Sequence, residues 1–406
     1  MAVTLRFIPL AVLACLLLAM APRAHAAKGM EVALEDDPVF VNQYYYDREQ
    51  ALQQAVALGV TRIRVNLGWA PSMGGQQNLR FPPSLPKYNF TQLDGLIDAA
   101  ARYGIRIQVT LTGPAPAFAT GNHRVGAYQP NGKLFGKFAS VVAAHFRGRI
   151  DRYSIWNEPN YVGWIAPLRQ EPSIYRDLYI NGYKSIKKAD ARAKVLIGET
   201  VPYSIRRLAQ SPIAFLRAVT CVDGSYHHVH GCKGPKTLRA DGYAHHPYEF
   251  KHKPSYKYPG QDNATLGTIK NLIHALDRLK KARVLKPTRG SHMPIYFTEY
   301  GYFASGKRRI PSNRHAAWLK QGFAIALKTR RVKEMLQYLL VQPPQRFRGA
   351  FFDTSILAQD GATLSPFSSL LTWSKQAAAR HQILLRRAPL TLPPAPPGAL
   401  PAPRRK

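Results

Sequence analysis

The stretch Tyr153-Ser154-Ile155-Trp156-Asn157-Glu158-Pro159-Asn160 is the one from which the fold can be read. Its first half is the aromatic and β-branched run of a buried strand. Its second half puts an amide and a carboxylate at the strand's end, and Pro159 halts the pairing because proline has no N–H to give. Ile295-Tyr296-Phe297-Thr298-Glu299-Tyr300-Gly301 is built the same way: an apolar run, a terminal Glu299, then a glycine.

Working outward from these two, short apolar or β-branched runs recur at 31–35, 62–67, 106–112, 152–157, 194–198, 242–245, 294–298 and 335–341. Amphipathic helical patterns fall between them, at 48–58, 88–103, 136–147, 174–190, 266–282 and 312–329. Eight strands separated by helices predict an α/β fold, a single (β/α)8 TIM barrel over 28–380. A doubly wound open sheet would carry a Gly-rich phosphate turn after its first strand, and neither GxGxxG nor GxxxxGK[ST] occurs. In a barrel, chemistry is positioned at the C-terminal ends of strands. Glu158 and Glu299, ending the fourth and seventh, are the candidate catalytic pair.

With Asn157 before Glu158, this arrangement resembles the retaining glycoside hydrolases of clan A, the 4/7 superfamily, with family 5 and family 39 the nearest comparison. The resemblance implies that Glu158 is the acid/base, Glu299 the nucleophile and Asn157 a partner of the sugar 2-hydroxyl. It also implies that Arg64, in the alternating second strand, touches the nucleophile; the rival reading is a plain barrel-interior ion pair. In Asp241-Gly242-Tyr243-Ala244-His245-His246-Pro247-Tyr248, it makes Tyr248 a donor to Glu299 and His246 a lining residue, with His245 packing. Retaining hydrolysis needs two carboxyl groups about 5–5.5 Å apart across the glycosidic bond. No cofactor and no metal are expected.

Sugars stack their C–H faces on aromatic rings. Trp69, Phe118, Trp164 and Tyr300 follow strand ends and are the candidate sugar-binding aromatics. Two departures from the resemblance touch the substrate walls. The eighth strand offers no tryptophan, and Phe118 stands where tryptophan is common.

The composition sets the context. The 406 residues carry 57 Lys+Arg against 23 Asp+Glu, a formal net charge of +34. A 46% hydrophobic content excludes disorder throughout. Residues 1–26 read as a cleaved export signal: Arg6, an apolar stretch, then Ala24-His25-Ala26. The mature chain is expected outside the cytoplasm with no transmembrane segment. Residues 386–406, with seven prolines and no acid, predict an extended, disordered tail. In an exported chain Cys221 and Cys232 suit a disulfide; a zinc site drawing on His227, His228 and His230 is the alternative.

Removing the leader and tail leaves most of the positive excess in the barrel, so an acidic oligosaccharide or polysaccharide is the expected partner. Nucleic acid is not, since no recognised nucleic-acid module is apparent. The reading is an exported, secreted glycosidase. The alternative is an inactive basic barrel that binds anionic polysaccharide.

Overall fold

The computed structural model describes residues 29–347, 352–385 and 389–396. Eight parallel strands close into a barrel. They are β1 (Glu31–Glu35), β2 (Arg62–Gly68), β3 (Arg106–Thr112), β4 (Arg152–Ile155), β5 (Lys194–Thr200), β6 (Gly242–His245), β7 (Ile295–Phe297) and β8 (Val332–Tyr338). Each pairs with its neighbours in sequence, and β1 closes the ring on β8 with Glu31 opposite Glu334. The helices that follow the strands in turn are α1 (Arg48–Ala57), α2 (Thr91–Arg102), α3 (Gly132–His145), α4 (Glu171–Ala189), α5 (Pro212–Val219), α6 (Ile269–Lys281), α7 (Ser312–Lys328) and α8 (Ser365–Ala379).

Local chemistry sets several boundaries. Asp47 caps α1 by accepting from the Gln50 amide at 3.0 Å, and Asn131 caps α3 by accepting from Leu134 at 3.0 Å. Each predicted strand lies on an observed one, with ends that move. β4 stops at Ile155, two residues early, because Trp156 (φ 65°) and Glu158 (φ 40°) take left-handed conformations that leave the ladder. β8 begins at Val332 rather than residue 335. Helices α5 and α8 were not anticipated. The first is eight residues, six of them Ile, Ala, Phe, Leu or Val beside Pro212 and Arg217, too short for a helical period to stand out from a strand-like run.

Strand alternation divides the interior into two compartments. Ile63, Val65, Ile107 and Val109 face outward and join the apolar layer between barrel and helices. The barrel's inside is mostly charged: Arg62 and Arg64 of β2 are both buried there, and the apolar residues Leu196, Ala244 and Tyr296 form a separate small cluster. Such interiors are usually filled by branched aliphatics. Here ion pairs fill them.

Cys221 and Cys232 are disulfide-bonded, which resolves the zinc alternative in favour of the bridge. The expectation of a free tail needs correction over 389–396. The Leu390 amide donates to the Ala101 carbonyl at 2.9 Å and Leu392 packs on the core, so this stretch is docked. The leader 1–26 and the remainder of the tail lie outside the described residues. Among the described residues no helix is long and apolar enough to cross a membrane.

Candidate active site

The ends of five strands converge on one buried cluster, with Arg64 of β2 at its centre. Its Nη1 donates to Glu299 Oε1 at 2.9 Å and also pairs with Glu35 at the end of β1. Its Nη2 reaches Asn157 Oδ1 at 2.8 Å and Glu199 Oε2 at 3.2 Å, while Nε donates to Thr110 Oγ1 at 2.9 Å. A planar guanidinium with five donors suits such a hub. Both readings of Arg64 hold at once: it is a barrel-interior ion-pair residue, and it touches Glu299.

His246 is the second hub. Its Nδ1 lies 3.0 Å from Glu158 Oε1 and 3.5 Å from Glu299 Oε2, and its Nε2 lies 2.8 Å from Glu199 Oε2. Burial opposes charging the ring, but Glu299, Glu158 and Glu199 together hold it up to about 10. It is therefore an imidazolium that donates from both nitrogens. The adjacent His245 faces Thr200 and the Ala264 carbonyl; burial pushes it down to about 3, so it stays neutral and packs, as the sequence suggested.

Glu158, His246 and Glu299 each bring a ligand atom within 4.8 Å of the other two. Facing oxygens of the two carboxyl groups are thus within 4.8 Å, compatible with the separation used in retaining hydrolysis, about 5–5.5 Å. The same three ligand atoms are spaced as a cation site would be.

Glu299 receives two donors, Arg64 at 2.9 Å and Tyr248 Oη at 3.0 Å, and lies 3.5 Å from the His246 Nδ1 that donates to Glu158. Burial pushes its carboxyl up, against the pull of His246 and Arg64. The ionised form is the one in which both donors find an acceptor. Glu158, by contrast, is only half-buried and its Oε2 is free of His246. It is carried on the left-handed turn after β4, where its amide donates to the Glu199 carbonyl at 3.0 Å.

Glu199 was missed in the sequence. It ends β5, accepts from Thr298 Oγ1 at 2.6 Å as well as from His246 and Arg64, and those two cations overcome burial to hold it down at about 2. The strand-end rule could have found it, since Gly198-Glu199 closes the fifth strand as Glu158 closes the fourth. Glu35 was missed as well. Burial pushes its carboxyl up, against the pull of Arg64 beside it.

The aromatics are sorted differently from expectation. Trp69 is 1% exposed and stacks on Phe138 of α3 at 5.7 Å, so it belongs to the helix-facing core and offers no face to a sugar. Tyr300 is fully buried against Gly322 of α7 and donates to Tyr302, placing it beneath the site rather than on its wall. Trp69 continues the outward alternation of Ile63 and Val65, whereas Tyr300 lies past the end of β7 and packs against α7. Phe118 and Trp164 remain partly exposed near the rim, where Phe118 packs edge-on to Trp69 and the Trp164 carbonyl accepts from Trp156 Nε1. The wall that does adjoin Glu299 comes from later loops. Tyr248 stacks on Phe250 at 4.7 Å, Phe250 meets Phe303 at 4.8 Å, and Phe352 bridges Tyr248 and Tyr338. Tyr338 stands where tryptophan was looked for. Beside this wall is a cavity of about 300 Å³ lined by Phe303, Lys307, Arg308 and Phe352, with Arg308 4.1 Å over the Phe303 ring.

No family model matches the chain, and no curated protein is detectably similar to it in sequence. Solved structures are similar. A family 39 glycoside hydrolase from Bacteroides cellulosilyticus WH2 superposes with a TM-score of 0.61 at 15% identity, over 86% of this chain and 64% of that one. The chain has the (β/α)8 fold of these glycoside hydrolases. A family 39 enzyme from Xanthomonas axonopodis pv. citri matches at TM-score 0.54 and 17% identity, over 85% of this chain and 67% of that one. Xylanase 10B from Thermotoga petrophila RKU-1 matches at 0.53 and 15%, over 86% and 94%. The chain therefore spans just under two thirds of the first of these glycoside hydrolases and nearly all of the last.

Proposed function

We propose that this chain is an exported retaining glycoside hydrolase that cleaves an oligo- or polysaccharide by double displacement. The observation that carries the reading is the facing pair Glu158 and Glu299, within 4.8 Å through their nearest oxygens, each held by its own set of donors. Glu299, fixed by Arg64 and Tyr248, attacks the anomeric carbon and forms a glycosyl ester while the bond to the leaving oxygen breaks. Glu158 delivers its proton to that oxygen, then takes one from the water that hydrolyses the ester. The free Oε2 of Glu158 is the oxygen available to hold that proton, since His246 occupies Oε1. His246 and Glu199 position the pair without reacting. Asn157, fixed by Arg64, is placed to meet the sugar 2-hydroxyl.

Export is supported by the leader sequence and suits the Cys221–Cys232 bridge. The structural neighbours include a xylanase and an exo-β-1,4-mannosidase, so the fold leaves the sugar open, and the cationic rim near Arg308 favours an acidic one. Screening the mature protein against oligosaccharides and activated aryl glycosides tests the reading. Turnover that persists in Glu299→Ala would overturn it, as would the absence of turnover on every glycoside offered.

A further inference from the structure

A second concave site lies at the other end of the barrel, where the strands begin. It is a cavity of about 770 Å³, the size of a small-molecule or oligosaccharide site. The starts of β1, β4, β5 and β8 contribute Glu31, Arg152, Lys194 and Lys333 to its lining, and Arg192 and Arg289 enter from adjoining turns. Its acids are already engaged. Glu31 pairs with Arg62 and Arg152, and Asp241 pairs with Lys187 at 2.7 Å while accepting from the Val195 amide.

The remaining cations have no such partner. Arg192, Lys194, Arg289 and Lys333 are all exposed, and none forms an ion pair with a described residue. The Lys194 ammonium is pushed down by partial burial and then by Arg152 beside it. A neighbouring cavity of about 360 Å³ shares Glu31, Arg152 and Lys194 and adds Arg62, Arg106 and Asp151, the last paired with Arg62 at 2.8 Å. Concave walls with an excess of one sign focus the field and concentrate counter-ions. The lining also holds the half-buried ring of Tyr183, while Tyr296 is buried with the Arg152 guanidinium 4.3 Å over its ring. Cations beside the open ring of Tyr183 match a sugar with charged substituents better than a bare inorganic anion, which has no apolar face to stack.

We propose that this basal cavity is a second carbohydrate site, which holds a carboxylate-bearing glycan chain at the end of the barrel opposite Glu158 and Glu299. It requires no chemistry and stands independently of the proposed hydrolysis. Its effect is to tether the protein to an acidic polymer while the mouth stays open.

Calorimetric titration of the full mature chain with a galacturonate hexamer tests it, with tripolyphosphate and a neutral glucose hexamer as comparison probes. The hexagalacturonate is expected to bind, and Arg289→Glu with Lys333→Glu to weaken it at least tenfold. The milder pair Arg289→Gln with Lys333→Gln guards against misfolding and should weaken it several-fold. A charge-matched control, Lys87→Glu with Lys320→Glu at exposed positions elsewhere, should leave affinity within twofold. Equal losses in the control pair would reduce the effect to overall charge and overturn the site. So would tripolyphosphate binding more tightly than the glycan, or no hexagalacturonate binding by the unaltered protein.

Discussion

Two ionic layers sit inside this barrel, built on residues two apart on one strand. At the base, Arg62 pairs with Glu31 and Asp151, and Arg152 pairs with Glu31 and Glu334. At the mouth, Arg64 pairs with Glu35, Glu199 and Glu299, and His246 adds Glu158. Both layers solve one problem, since a buried charge is tolerable only when paired and hydrogen-bonded. They differ in what is left over. The base sets two arginines against three carboxylates and relieves the excess within itself, with burial pushing Glu334 up to about 7. The mouth sets two cations against four carboxylates, and one of those, Glu158, is turned toward the cleft with 17% of its side chain exposed. Position along the strand therefore decides whether an ion-pair layer is closed scaffold or open chemistry.

The largest test of that contrast is Glu299→Ala. Turnover of an activated aryl glycoside should fall by about 10⁴-fold or more, the scale on which losing a covalent nucleophile acts. Azide should restore part of the rate and give a glycosyl azide of inverted configuration, because it enters from the vacated face. In Glu158→Ala, azide should instead give the retained product, and activated leaving groups should suffer less than natural ones.

A sharper comparison substitutes the two arginines alike. Arg62→Met and Arg64→Met should each cost about 3–5 kcal/mol in denaturant unfolding, because each leaves buried carboxylates unpaired. Only Arg64→Met should also lower kcat, by about 10²–10³-fold. Equal kcat in the two variants would erase the distinction between scaffold and site. Tyr248→Phe removes one donor to Glu299 and leaves the base untouched; kcat should fall about 10- to 100-fold with little change in stability.

The layers should also separate by pH, with the smallest effects. His246 is raised from 6.5 to about 10 in the fold, so its stabilisation is complete below pH 6.5 and is lost as pH climbs through about 10. Glu334 is raised from 4.5 to about 7, so its contribution is complete below pH 4.5 and is lost as pH rises through about 7. Unfolding midpoints measured across pH 4–10 should lose the upper slope in His246→Gln and the lower slope in Glu334→Gln.

Much of this was legible in the residues. The short apolar or β-branched runs located every barrel strand, and a Glu at a strand end just before a Pro or Gly marked both members of the facing pair. Arg64, His246 and Tyr248 were found because they too lie on or just past strands whose alternation points them inward. Trp69 and Tyr300 failed for a related reason: aromatics after a strand end turn toward the helices as readily as toward the cleft, and sequence does not show which. The wall of Phe250, Phe303 and Phe352 was invisible because loops from three different strands assemble it. Glu199 and Glu35 were legible but overlooked. Their pairing across the barrel is a property of closure, which no local pattern displays.

The central claim is that Glu158 and Glu299 face each other closely enough for a covalent intermediate. The most direct measurement is proton NMR of the first sugar released from an aryl glycoside, before mutarotation. The pair as placed predicts a first-formed anomer of the same configuration as the substrate. An inverted first product would mean that water attacks directly, and would contradict the account.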